Sequence, residues 1–197
     1  MRYASLLALG AVLIAGAASA QRQPAADQPD VTTEITASRA AARQFGGTLQ
    51  DALQQAVQVG GPVNGIAVCH DRAGQIAADL SSKLNMIVGR TSLRLRNPAN
   101  APDNWELAVL KQFEARKAQG EPADTLEFSA VIDDEQGQKT FRYMKAISTA
   151  APCLTCHGEA INPEVDARLK ALYPNDQARG FREGELRGAF TIAKPLQ

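Results

Sequence analysis

The chain has 197 residues, no formal net charge, 45% apolar residues and only 5% aromatics. That length fits one domain, or two small ones, with a buried core. The charge balance argues against a nucleic-acid binder, which needs a basic surface to displace counterions from phosphates. Two histidines and three cysteines leave too few donors for most metal and nucleophile arrangements.

Residues 1–20 read as a cleavable export leader. Arg2 gives a basic start, Leu6 begins an apolar run that ends at Ala18, and Ala18-Ser19-Ala20 has the small-x-small pattern of a signal peptidase site. The run is shorter than the roughly 20 residues a membrane span needs, and no later stretch approaches that length. The mature chain is therefore expected to be periplasmic and not inserted in the membrane. Cys69, Cys153 and Cys156 then face an oxidising compartment in an odd number, so at least one thiol has a use other than pairing within the chain.

Residues 21–33, rich in Pro, Gln, Asp and Ala, read as a flexible lead-in, and residues 34–197 as one domain. A helical stripe starts at about residue 33 through Ile35, Ala42, Phe45, Leu49, Ala52 and Ala56. Gly46-Gly47 within it marks a bend or a close packing approach, and Gly60-Gly61-Pro62 reads as its stop. Residues 65–69 look like a short buried strand, 75–84 like a helix, and 90–96 alternate with period two as a half-exposed strand or extended segment. Asp103 and Glu106 form a capping-box start for a helix that ends near Gly120. Strands are expected at 127–132 and 140–147, joined by a polar turn at 133–137, then a helix at 163–172 and a last strand at 186–193. The pattern is α+β: an antiparallel sheet with flanking helices and a long N-terminal helix.

Cys153-Leu154-Thr155-Cys156-His157 is the C-x-x-C-H attachment sequence of c-type haem. Two thiols three residues apart can both add to the porphyrin vinyl groups, while the adjoining imidazole reaches the iron as an axial ligand. One such sequence implies one covalently attached haem c. A thioredoxin-like dithiol would open a long helix, and here Gly158 follows at once. A zinc site would have to recruit distant ligands, and a Cys153–Cys156 disulfide would close a strained ring.

Candidates for the other face of the iron are Cys69, His70, Met86 and Met144. In the expected strand Cys69 and His70 point to opposite faces, Cys69 sharing its face with the small residues Gly65 and Ala67. Both methionines are as well suited to filling a core. The arginine face of Arg90, Arg94 and Arg96 is either a solvated strand edge or a set of partners for haem propionates. Trp105 reads as a packing anchor for its helix.

Ile66-Ala67-Val68-Cys69, the run from Thr91 to Asn100, Trp105-Glu106, the run from Phe141 to Lys145, the run from Cys153 to Gly158, and the tail from Tyr173-Pro174 to Gly188-Ala189 together resemble the PAS-like single-haem c-type cytochrome family, the Tll-type haem domain. The resemblance spans residue 35 to the C-terminus. It implies a PAS-like fold, His157 as proximal iron ligand and a cysteine as distal ligand, which falls on Cys69. Ala146 departs from it, standing where a proline is expected. Members occur as free-standing exported proteins and as the extracytoplasmic part of sensor kinases and chemoreceptors, and this chain resembles the free-standing kind.

These readings converge on a periplasmic monohaem c-type cytochrome of low potential, serving electron transfer or redox sensing with a redox partner protein. Two alternatives are a haem-thiolate enzyme acting on sulfur compounds or peroxide, and a soluble haem sensor that signals to a membrane partner. The sequence is also compatible with a homodimer through the N-terminal helix.

Overall fold

The computed structural model of the protein describes residues 30–133 and 137–196. The leader, most of the lead-in and the tip of the expected 133–137 turn lie outside the described residues. Thr32 and Thr33 already belong to the first helix.

Strands β1 (Ile87–Thr91), β2 (Glu127–Asp133), β3 (Lys139–Ser148) and β4 (Leu186–Pro195) form one antiparallel sheet in the order β1-β4-β3-β2. Helices α1 (Thr32–Asp71), α2 (Ala73–Leu84), α3 (Asn104–Ala118), α4 (Leu154–His157) and α5 (Pro163–Leu172) flank it. The chain is thus an α+β domain with a long N-terminal helix, as the pattern implied.

Alternation along β3 sorts its side chains into two cores. Phe141 and Tyr143 join Phe45 and Leu49 of α1, Ile76 and Leu80 of α2, and Val88 and Ile192 of the sheet. Met144 and Ala146 join Val109, Leu110 and Phe113 of α3 instead. Met86 lies in the first core and Met144 in the second, so both fill space between elements. A third cluster joins Ile66 of α1 to Val165 and Leu169 of α5 and to Tyr173, with Cys156 packed against it.

Several local signals work as read. The Asp103 carboxylate accepts the Glu106 N–H at 2.8 Å, and Glu106 accepts the Asp103 N–H at 3.1 Å, closing the capping box of α3. Pro163 opens α5 behind Asn162, whose side chain accepts the Glu164 N–H at 2.9 Å. Gly46 is a close approach: a Cβ there would lie 3.0 Å from the Phe190 ring. Trp105 is half-buried beside Phe128 and under the Arg142 guanidinium.

Two expectations are corrected. Residues 65–69 are helical, because α1 resumes beyond Gly60 and Gly61, the two residues with non-helical backbone. Pro62 follows them in the first turn of the resumed helix, where its missing N–H costs nothing. The Gly-Gly-Pro run is therefore a kink. The second difference is that β1 ends at Thr91, so residues 92–96 leave the sheet. The Ser92 hydroxyl takes over there, accepting the Arg94 N–H at 3.1 Å and donating to Arg187 O at 2.8 Å, in competition with the ladder.

Ala146, where the family resemblance led us to expect proline, donates its N–H to Leu126 O at 3.0 Å, a bond proline would forfeit. Gly188 sits where β4 enters the sheet, and a Cβ there would lie 2.3 Å from Thr91 O. Backbone cannot yield as a side-chain tip can, so Gly188→Ala should cost about 3 kcal/mol. Gly74→Ala, in open space within α2, should gain roughly 0.5–1 kcal/mol. Urea denaturation of both variants checks the pair.

Candidate functional site

The attachment sequence sits on a tight turn. Ala151–Cys153 form a 3-10 turn that runs into α4, and Gly158 ends α4 by donating to Leu154 O at 2.8 Å. A Cβ at Gly158 would collide with that same carbonyl at 2.6 Å, so the chain can turn away immediately after His157.

His157 is held by the loop before β4. Its Nδ1 lies 2.7 Å from Ala178 O. A carbonyl only accepts, so Nδ1 carries the proton and Nε2 keeps its lone pair. Phe181 meets the imidazole edge-on, with ring centroids 6.2 Å apart. Burial first, then the Arg187 and Arg96 charges, bring the His157 pKa down to about 2. The ring is therefore neutral at physiological pH, the state in which imidazole binds a metal.

Ala178 is itself fixed by Asp176, whose side chain is 2% exposed. The Asp176 carboxylate accepts the Ala178 N–H at 2.9 Å, Arg96 Nε at 3.1 Å and Arg179 Nε at 3.0 Å. Arg96 reaches on to Cys156 O at 2.5 Å and Ala178 O at 3.1 Å, and its NH1 lies 3.4 Å from His157 Nε2. Arg96 thus ties the attachment turn, the histidine and the 176–178 loop together. Arg94 lies elsewhere, stacked 3.6 Å above the Phe181 ring and donating to Arg179 O.

Cys69, Cys153, Cys156 and His157 all line one cavity of about 880 Å³, inside the roughly 300–1,000 Å³ range of small-molecule and cofactor sites. All three cysteines are free thiols. Burial, reinforced by Cys69 and Cys153, raises the Cys156 thiol pKa against the opposing charge of Arg96. The thiols and imidazole do not converge on one ion: among the described residues no three His, Cys, Asp or Glu side chains are grouped to hold a metal.

Cys69 reaches the cavity from a helix. Gly65, Ile66 and Cys69 line it together, at the i, i+1, i+4 spacing of one helical face. His70, a helical step of about 100° away, leaves the cavity: its Nδ1 lies 2.5 Å from Asp71 Oδ1 and its ring packs edge-on to Tyr173. Cys69 and His70 are thus separated by helical geometry rather than by strand alternation. Gly46 and Gly47 of α1 also line the cavity, as do Arg90 and Arg96, whereas Arg94, Met86 and Met144 are not in its wall.

Two features escaped the sequence reading, Arg187 and a polar group on the opposite elements, while Tyr173 opens the 173–176 segment, whose sequence fits either a cover over the cofactor or an ordinary turn. Arg187, the second residue of β4, lines the cavity; burial, then Arg96 and Arg90, bring its pKa down to about 10, so it stays cationic at neutral pH. Tyr173 lines the cavity too, its pKa pushed up to about 12 by burial and by Cys69. A polar group of Arg39, Glu127 and Tyr143 completes the wall. Arg39 pairs with Glu127, and Tyr143 donates to the same carboxylate at 2.7 Å. No local signal marks these residues, because the wall is assembled from α1, β2, β3, β4 and the segment after α5, which are far apart in sequence.

Fold and site together define a class: an α+β domain with a two-thiol, one-imidazole attachment sequence in the wall of a cavity that a third thiol also lines. The Tll0287-like family model matches residues 13–195, and the chain belongs to that family. Among solved structures it is similar to the cyanobacterial heme-protein Tll0287. The TM-score is 0.59 at 22% identity, over 85% of this chain and 96% of that one. A comparison with curated proteins finds no match.

Asp176→Asn would leave buried Arg96 without its counter-charge and should cost about 3–5 kcal/mol. Asp166→Asn, whose partners Lys170 and Arg179 are more exposed, should cost far less, because solvent screens such pairs; urea denaturation separates the two. Glu127, with a pKa drawn down to about 2 chiefly by its hydrogen bond from Arg39, stabilises the fold fully above pH 4.5, its ordinary value. That contribution is lost as pH falls towards 2. Melting temperatures over this window should fall more steeply for the natural chain than for Glu127→Gln.

Proposed function

We propose that this chain is an exported, periplasmic c-type haem protein with one haem, joined through thioethers at Cys153 and Cys156 and held at the iron by His157 and Cys69. The observation that carries the proposal is the cavity: its wall contains both thiols of the attachment sequence, the His157 imidazole and the Cys69 thiol, and its volume of about 880 Å³ suits a large flat cofactor. Family membership supports the same reading, since the similar solved structure is described as a heme-protein. In attachment each S–H adds across a vinyl C=C, sulfur bonding one carbon and hydrogen the other, with no net oxidation.

When bound, haem supplies one-electron redox chemistry. The residues set its terms. The Ala178 carbonyl keeps the proton on Nδ1 and raises the basicity of Nε2. A Cys69 thiolate donates electron density and favours ferric over ferrous iron, which sets a low potential. With both axial positions held by protein, outer-sphere electron transfer or redox sensing fits better than substrate turnover. Cys69 is carried on the part of α1 beyond the Gly60–Gly61 kink, apart from the elements that hold His157.

The test is the visible spectrum, oxidised and reduced, of protein exported from cells equipped for c-type haem attachment. The expected result is haem that survives denaturation on the polypeptide, with a thiolate-ligated low-spin ferric spectrum. Cys69→Ala should remove the thiolate signature and raise the potential while the haem stays attached. An unchanged spectrum and potential in that variant would refute Cys69 as ligand, and a natural chain without haem would refute the whole reading.

A further inference from the structure

Arg90, Arg94 and Arg96 are the cations that the sequence offers to the acidic groups of a haem, but two of them are engaged elsewhere, Arg94 on Phe181 and Arg96 on Asp176 and two backbone carbonyls. Of the other arginines in the cavity wall, Arg39 pairs with Glu127 and Arg43 is exposed to solvent, which leaves Arg90 and Arg187. Arg90 and Arg187 form no ion pair among the described residues. Arg187 donates from NH1 to Ser92 Oγ at 3.1 Å, with a weaker approach to Arg94 O at 3.4 Å, and its guanidinium lies 5.4 Å from the Phe181 ring centroid.

The orphaned atom is Nε of Arg187. Four buried side-chain nitrogens or oxygens lack a hydrogen-bond partner among the described residues: Ser38 Oγ, Arg142 Nε, Thr149 Oγ1 and Arg187 Nε. Only Arg187 belongs to the cavity wall. A guanidinium removed from water with an unsatisfied donor and no carboxylate beside it is costly unless an anion completes it. Asp176 does not do so, being already engaged by Arg96, Arg179 and the Ala178 N–H. Arg187 is thus a buried cation without a counter-charge in the cavity wall, and the part-buried Arg90 lies close enough to add to its charge.

The backbone holds Arg187 in place. Ser92 Oγ bonds both to its NH1 and to its carbonyl, and the next residue, Gly188, is pressed against Thr91 O where no Cβ fits. Such a fixed planar fork suits carboxylates, which it can engage through two parallel bonds.

We infer that Arg187, with Arg90 near it, is the carboxylate-binding end of the cavity, and that it takes a dianion carried on a flat apolar body. This rests on the haem reading above, in which the dianion is the pair of propionates. It keeps the anion-facing role at Arg90, moves the rest of it from Arg94 and Arg96 to Arg187, and leaves Arg96 as the residue that positions His157.

The test compares holoprotein of the natural chain, Arg187→Leu and Arg187→Lys by redox titration and by resonance Raman of the propionate-bending bands. In Arg187→Leu the haem should stay attached and the ligand-sensitive spectrum should hold. The propionate bands should shift, and the reduction equilibrium should move roughly tenfold towards the oxidised form, because a nearby positive charge that favours the ferrous state is gone. Arg187→Lys keeps the charge and loses the fork, so its bands should shift while its equilibrium stays within about threefold of the natural chain. Should the leucine variant not accumulate, the bands of the lysine variant decide. Natural bands and an unmoved equilibrium in the haem-loaded variants would overturn the inference and leave the haem reading standing. Absence of haem from the natural chain would overturn that reading and this one with it.

Discussion

The site depends on one buried carboxylate. Asp176 accepts from two arginines and from the Ala178 N–H, and through them it controls residues far apart in the chain. Arg96 comes from the segment after β1, the attachment turn follows β3, and Ala178 lies in the loop before β4. Without Asp176, Arg96 would be a buried cation with only carbonyls to receive it. The carbonyl that fixes the His157 tautomer is also held by the segment Asp176 anchors. The imidazole's chemistry thus begins two bonds away, in a carboxylate that faces no cavity.

The charges around the cavity are uneven for a reason. Arg39 and Glu127 neutralise one another with Tyr143 as a third partner, so that part of the wall is self-contained. Around Arg90 and Arg187 the balance is positive. Burial, and after it the charges of Arg96 and Arg90, hold the Arg187 pKa below its ordinary value. A fold that needed only a stable core would have little use for such a group. It makes sense as part of a surface that an anion completes.

Much of this was legible in sequence, and the failures share a cause. The capping box of α3, the Pro163 start of α5 and the hairpin strands rest on local rules, and local rules hold where the neighbours agree with them. The attachment sequence was legible for the same reason, since its spacing is its mechanism. Residues 65–69 were misread because Ile66 and Val68 suit a strand, while the proline three residues earlier can end one helix or start the next. Only the packing of Ile66 against α5 and Tyr173 distinguishes the two. Residues 92–96 alternate well enough for a strand, but the Ser92 hydroxyl offers the backbone a better partner. Arg187 carries no local signal, because what brings it to the cavity is the pairing of β4 with a strand about a hundred residues earlier in the chain.

The sheet order has a consequence for timing. β4 is an inner strand, paired on both sides with β1 and β3, yet it is the last element of the described chain. The two halves of the sheet have no contact through hydrogen bonds until it docks, and that docking closes contacts about a hundred residues apart in sequence. Arg187, Gly188 and Phe190 of β4 are also part of the cavity wall. The cavity that Cys153 and Cys156 line is therefore complete only when the last strand of the chain has paired with both of its neighbours.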